Sequence, residues 1–230
     1  MSLFLIHGWA THAAIWPNWL ATSSSYCYES PHYPDYSDLA KRFLDVYQHH
    51  GRPLTIVGWS LGGMLALQLA AAYPEKIKKL ILISSTPRFT LCEHYTAGVS
   101  PSLIKNLARK LPKNKWQTQL DFYKLMFSDQ EKLWEKKFAL QIAPLLNHIE
   151  LLTLQSGLLY LLEKDLRCML TSIETPCHIL HGTEDAICPP AAGHYLASTL
   201  PNAKLTLVPG AGHIPFYTQS EYCKTHINMD

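Results

Sequence analysis

Apolar positions in this chain fall into two kinds of run. Short, mostly apolar stretches at 3–6, 54–57, 79–83 and 177–180, with a further one at 204–208, are each followed by small or polar residues. Continuous rather than alternating apolar residues mark strands covered on both faces, as in a parallel sheet. Longer segments with apolar residues at helical spacing lie between them, including 64–72 and a first helix ahead of Tyr26. Strands that alternate with helices predict an α/β fold, a mostly parallel sheet flanked by helices. In such sheets ligands bind beyond the carboxyl ends of the strands, so the loops after these five runs are where chemistry is sought.

Over 97–165 the strand-like runs disappear, and Leu, Trp, Phe and Met recur at helical spacing among many lysines. This predicts a helical lid inserted into a single domain spanning 1–230, whose core comprises 1–96 and 166–230. The insertion carries Lys105, Arg109, Lys110, Lys113, Lys115, Lys124, Lys132, Lys136 and Lys137. Any one of these lysines is most simply a solvated helix face, whereas together they offer a docking patch.

Composition narrows the class. The 230 residues are 47% hydrophobic and 17% charged, an ordinary globular balance with enough chain to bury a full core. A net charge of +2 is too mild for a nucleic-acid binder, so electrostatic recognition has to be local. The six cysteines are scattered, with neither C-x-x-C pairs nor metal-finger spacing, which points to free thiols in a reducing compartment. The opening apolar run is too short for a signal peptide, and no stretch approaches the roughly 20 apolar residues of a membrane span. A cytoplasmic protein is the expectation, with neither membrane nor nucleic acid as partner.

The strongest local signal is Gly58-Trp59-Ser60-Leu61-Gly62-Gly63, a G-x-S-x-G element between the run at 54–57 and the helical run at 64–72. A serine on such a strained strand-to-helix turn needs glycines where the chain passes close to its neighbours. The helix N-terminus behind it favours negative charge on a substrate oxygen, so the Leu61 N–H is one candidate oxyanion donor. His7-Gly8-Trp9 follows the first strand and offers the Trp9 N–H as the second. His7 itself reads as a structural histidine beneath that loop.

A serine hydroxyl is a poor nucleophile at neutral pH and needs a base held in the correct tautomer by a carboxylate. His181-Gly182-Thr183-Glu184-Asp185 follows the run at 177–180 and supplies the acid, with Asp185 preferred to its neighbour Glu184. Val208-Pro209-Gly210-Ala211-Gly212-His213 closes the last strand and supplies the base, His213. Ser60, Asp185 and His213 arrive in the chain order of an α/β-hydrolase fold. The chemistry expected is carboxylic ester hydrolysis through an acyl-enzyme, with no metal or cofactor.

By these residues the chain resembles the pimeloyl-acyl-carrier-protein methyl ester esterases of biotin synthesis. The likeness is carried by His7-Gly8-Trp9, by Gly58-Trp59-Ser60-Leu61-Gly62-Gly63, by Ser156-Gly157-Leu158 with Asp165-Leu166-Arg167, and by Gly212-His213-Ile214-Pro215-Phe216. The resemblance implies demethylation of a pimeloyl ester carried on acyl carrier protein, an acidic partner docking on the basic lid. It also implies substrate contacts from Trp9, Leu61 and Phe122, the last in the lid wall of an acyl channel; the simpler reading of Phe122 is a core aromatic of the lid. Departures are visible. The chain starts almost at its first core strand, without the amino-terminal hairpin usual in the superfamily. Ser30-Pro31-His32-Tyr33-Pro34 replaces the familiar Asp-x-Pro-Gly-x-Gly turn, and Asp121 lies where a positive charge is expected, while Lys137 retains one.

Two rivals share the motifs. A general short-chain carboxylesterase needs no carrier protein, and a hydrolase-like protein that binds a ligand without turnover would be expected to have a damaged triad.

Overall fold

Six parallel strands build one sheet in the computed structural model, which describes residues 2–227. They are β1 (Leu3–Ile6), β2 (Ser25–Tyr28), β3 (Leu54–Trp59), β4 (Ile77–Ile83), β5 (Cys177–Gly182) and β6 (Ala203–Val208), in the spatial order β2-β1-β3-β4-β5-β6. The order reverses between β1 and β3, so the loops leaving those two neighbours diverge and open a crevice at their carboxyl ends. That crevice is where His7-Gly8-Trp9 and Ser60 come together.

The sequence expectation needs correction at the sheet's edge. Among the described residues no α-helix precedes Tyr26; the segment between β1 and β2 holds a single 3-10 turn at Ala13–Ile15. The strand β2 was not expected, because Ser25-Tyr26-Cys27-Tyr28 has no continuous apolar run. Its register comes from β1, and its side chains pack where Phe4 stacks on Tyr26 at 5.2 Å between ring centres and meets Phe43 edge-on at 5.5 Å. Several strands also run past their apolar stretches: β3 takes in Gly58 and Trp59, and β5 takes in His181 and Gly182.

Helices α1 (Tyr36–His50), α2 (Leu61–Ala72) and α7 (Pro190–Thr199) join successive strands. Their ends follow local chemistry. In α1 the Asp35 carboxylate accepts from the Ser37 N–H at 2.7 Å, and Gly51 ends the helix at φ 64°, where a side chain would be strained. By contrast α2 is apolar on nearly every side because it is buried against β1, β3 and β4, which makes it a rigid base for whatever sits at its start. Between β4 and β5 lie α3 (Pro101–Lys110), α4 (Lys115–Lys124), α5 (Lys132–Gln141) and α6 (Leu151–Glu163). Short helices α8 (Pro215–Thr218) and α9 (Ser220–His226) follow β6. Among the described residues no helix is long and apolar enough to cross a membrane, and all six cysteines are free thiols.

Two buried histidines in the frame have local partners. His7 lies under the loop after β1, stacked on Tyr33 at 4.3 Å, with Nδ1 2.9 Å from the Gly8 carbonyl. Its backbone carbonyl accepts from the Tyr33 hydroxyl. Burial is the main effect on its ring and pushes the pKa down to about 4, against the opposing bond to Gly8. His178, in β5, is likewise pushed down to about 4, first by burial and then by Lys204 and Lys79.

Two outcomes follow from this packing. Truncating Phe4, fully buried between Tyr26 and Phe43, is expected to cost about 3–5 kcal/mol, read as a lowered urea midpoint for Phe4→Ala. The histidines set an acid dependence: between pH 6.5 and 4 the unfolded chain takes up a proton that folded His7 refuses. Stability is therefore full above about pH 6.5 and falls with acidification, by on the order of 3 kcal/mol for His7 alone. Unfolding midpoints across that window should show a shallower slope in His7→Gln than in the wild type; an unchanged slope would show that His7 is not the group responsible.

Candidate active site

The turn from β3 into α2 places Ser60 at φ 56° and ψ −122°, a left-handed conformation a serine enters only when its surroundings force it. Those surroundings are visible. The Ser60 N–H donates to the Ile83 carbonyl at 2.9 Å, while its carbonyl accepts from the Gly63 N–H at 2.9 Å and the Ser85 hydroxyl at 2.8 Å. A Cβ on Gly62 would stand 2.1 Å from the Ile6 carbonyl oxygen, and one on Gly58 would stand 2.6 Å from the Gly62 carbonyl. Both obstacles are backbone, so the glycines let α2 start against the end of β1 with the serine at the apex.

From that apex three side chains form a line. The Ser60 hydroxyl is 2.9 Å from His213 Nε2, and His213 Nδ1 is 2.8 Å from Asp185 Oδ2. Asp185 and His213 are buried, and Ser60 is 8% exposed, so the line meets solvent only at its serine end. Glu184, the rival carboxylate, is exposed. The Asp185 Oδ1 atom accepts from the Ile187 and Cys188 N–H groups at 3.0 and 2.9 Å. Burial by itself would raise the Asp185 pKa, but the charge of His213 and bonds from His181 and His213 hold it well below the usual carboxylate range. An ionised Asp185 accepts from Nδ1–H and leaves Nε2 free to take a proton from Ser60.

The sequence singled out Trp9, Leu61 and Phe122 as well. Among the described residues the N–H groups of Trp9 and Leu61 donate to no protein acceptor; Leu61 follows Ser60 directly, and a Cβ on Gly8, the residue before Trp9, would lie 3.1 Å from the Ser60 Cβ. The Trp9 indole is fixed from α6: Nε1 donates to the Leu154 carbonyl at 2.8 Å, and a Cβ on Gly157 would lie 2.4 Å from its Cδ1. Phe122 meets the Trp9 ring edge-on at 4.7 Å and lines an apolar cavity of about 220 Å³ together with Leu103, Leu107 and Ile187. Ala186 and Ile187 join this cavity to the loop that holds Asp185.

Residues that sequence reasoning left without a role also converge here. His181 Nε2 lies 2.8 Å from the Cys188 carbonyl and 3.4 Å from Asp185 Oδ2, so a second imidazole approaches the carboxylate oxygen that His213 binds. Trp59 Nε1 donates to the His213 carbonyl at 2.8 Å. Glu131, only 4% exposed, accepts from the Gly212 N–H at 2.9 Å. Its signal was present as Ser128-Asp129-Gln130-Glu131, an S-x-x-E capping box, which the structure forms. The described residues hold no group of three or more His, Cys, Asp or Glu arranged for a metal ion.

Comparison with known proteins agrees with this architecture. The model of the alpha/beta hydrolase family matches residues 3–224. A pimeloyl-[acyl-carrier protein] methyl ester esterase of Nitrosomonas europaea is 32% identical over 95% of this chain and 91% of its own length. One from Chromobacterium violaceum is 31% identical over 94% of this chain and 89% of its own. Among solved structures, an esterase from Exiguobacterium antarcticum superposes with a TM-score of 0.84 at 20% identity, covering 98% of this chain and 89% of that one. A bromoperoxidase from Bacillus anthracis gives 0.86 at 19% identity, covering 97% and 89%, and both likenesses speak to the fold alone. The chain belongs to the alpha/beta hydrolase family and, within it, to the pimeloyl-[acyl-carrier protein] methyl ester esterases.

Proposed function

We propose that this serine carboxylesterase hydrolyses the methyl ester of a pimeloyl group carried on acyl carrier protein, with Ser60 as nucleophile, His213 as general base and Asp185 as the orienting carboxylate. The observation that carries the mechanism is the continuous line from Ser60 Oγ through both ring nitrogens of His213 to Asp185, at 2.9 and 2.8 Å. The substrate rests on relatives of that name matched over nearly the whole chain.

The steps follow from the geometry. Ser60 Oγ attacks the ester carbonyl as His213 Nε2 takes its proton, and the oxyanion lies between the N–H groups of Trp9 and Leu61. Collapse breaks the bond to the methoxy oxygen, which leaves as methanol with the proton from His213. Water, deprotonated by His213, then attacks the acyl-serine, and the free carboxylic acid departs as the proton returns to Ser60. Asp185, held ionised beside two imidazoles, stabilises the imidazolium that exists between these transfers. The apolar cavity beyond Phe122 suits an alkyl chain, each buried methylene contributing about 0.8 kcal/mol.

The helices between β4 and β5 serve in this reading as a lid and a docking face for the acidic carrier. Lys105, Arg109, Lys110 and Lys113 are exposed around the end of α3, and Lys132, Lys136 and Lys137 on α5. Lys115 is different: its Nζ donates to the carbonyls of Asn147 and Ile149 at 2.7 and 2.9 Å, which makes it a strut within the insertion. Asp121 is exposed on α4 and marks a gap in the positive field.

Chemistry and docking are separable. Ser60→Ala is expected to lower kcat on any methyl ester by at least about 10³-fold with the fold intact, measured by methanol release. For the wild type, kcat/KM on the carrier-bound ester should fall several-fold as salt rises from 50 to about 300 mM, because screening shortens the reach of the lid's charges, while turnover of free dimethyl pimelate stays flat. Equal rates on both substrates at every salt concentration would leave the mechanism and remove the carrier protein, in favour of a general short-chain esterase.

A further inference from the structure

The loop that carries His213 is gripped by the helical insertion. The Ser128 hydroxyl donates to the Gly210 carbonyl at 2.7 Å, the Gly212 N–H donates to Glu131 Oε2 at 2.9 Å, and the His213 N–H donates to the Met126 carbonyl at 2.8 Å. All three bonds reach from 126–131 to 210–213, across more than eighty residues of chain. The fit is close: a Cβ on Gly212 would stand 2.5 Å from the Met126 carbonyl and 2.9 Å from the Ser128 nitrogen. From the opposite side Trp59 Nε1 holds the His213 carbonyl, so both backbone polar groups of the histidine are occupied.

Glu131 stands at the centre of the grip. Its Oε2 also accepts from the Ser128 N–H at 2.9 Å, which completes the capping box of its own segment. That local duty uses one donor. The bond to Gly212 is additional, and it lands on the residue before His213. A buried carboxylate needs such bonds: Oε2 has two, and Oε1 is buried without a protein partner.

We propose that Glu131 is a positioning residue for the reaction: from the insertion it holds the Gly212 amide and so sets the His213 imidazole against Ser60. The proposal rests on the reading of His213 as the base. It acts through geometry, because an imidazole whose loop shifts by a fraction of an ångström loses alignment with the serine hydroxyl, and misplacement of about 1 Å costs on the order of 10²-fold.

The test uses the full chain and a small free ester, p-nitrophenyl butyrate, so that carrier docking plays no part. Glu131→Ala is expected to lower kcat about 30-fold with KM within about twofold, since the alignment is lost and the acyl cavity is untouched. Glu131→Gln, whose amide oxygen still accepts from both N–H groups, is expected to recover kcat to within about threefold of wild type. Should the alanine variant fail to fold in a thermal melt, Glu131→Asp, one methylene short of Gly212, takes its place with an intermediate loss. Wild-type kcat in the alanine or aspartate variant would overturn the proposal. So would equal losses in alanine and glutamine, or a rise in KM at constant kcat. Ser60→Ala and His213→Ala run alongside: if either keeps wild-type activity, the reading of the base fails, which is distinct from failure at Glu131.

Discussion

Everything at the site depends on how closely α2 approaches the end of β1. Backbone meets backbone there, Gly62 against the carbonyl of Ile6, at a separation no side chain tolerates. Because the contact is between main chains, no neighbouring side chain can yield to relieve it. The contact fixes α2 over β1 and β3, and that placement turns Ser60 outward and brings the first turn of the helix beside the loop after β1. The loop holding Gly8 and Trp9 therefore lies against the start of α2, with a Cβ on Gly8 only 3.1 Å from the Ser60 Cβ. The position of the nucleophile's backbone is thus set by strand and helix packing.

The second organising feature is a carboxylate with nowhere to shed its charge. Asp185 is sealed from solvent, yet both oxygens are occupied: one by two backbone N–H groups, the other by two imidazoles. Burial disfavours the ion, while the charge of His213, the neighbouring His181 and the donors on both oxygens favour it, and the ion prevails. His213 is consequently anchored at its ring by Asp185 and at its backbone by Trp59 and Met126, leaving Nε2 as its working atom.

Much of this was readable in the residues, for reasons that also mark where reading stopped. Strands buried on both faces announce themselves as apolar runs, so β1, β3, β4 and β5 were visible; the edge strand β6 showed through Leu205, Leu207 and Val208, whereas the opposite edge, β2, takes its order from ring stacking on Phe4, a contact no window of sequence contains. A first helix was expected where only Ala13–Ile15 turns, since that segment is held by side chains from elsewhere, such as Glu29 on the Ala13 N–H. The residues Ser60, Asp185, His213, Trp9 and Leu61 stood at strand ends, where a motif and a topology rule coincide. Glu131 stands in a helix-start pattern that carries no sign of its bond to Gly212, 81 residues along the chain. His181 sat within the motif that named Asp185 and was passed over because pairing needs distances.

The strained backbone at Ser60 has a consequence for a population of molecules. A φ of 56° is available to this serine only while Ile83, Gly63 and Ser85 hold it and the sheet beneath is closed. In a chain that is unfolded or has lost that strand pairing, the residue relaxes to ordinary torsions and is one unremarkable hydroxyl among many. Nucleophilicity is thus a property conferred by the finished architecture, and a reagent that marks activated serines counts completed molecules, whatever the total mass of polypeptide present.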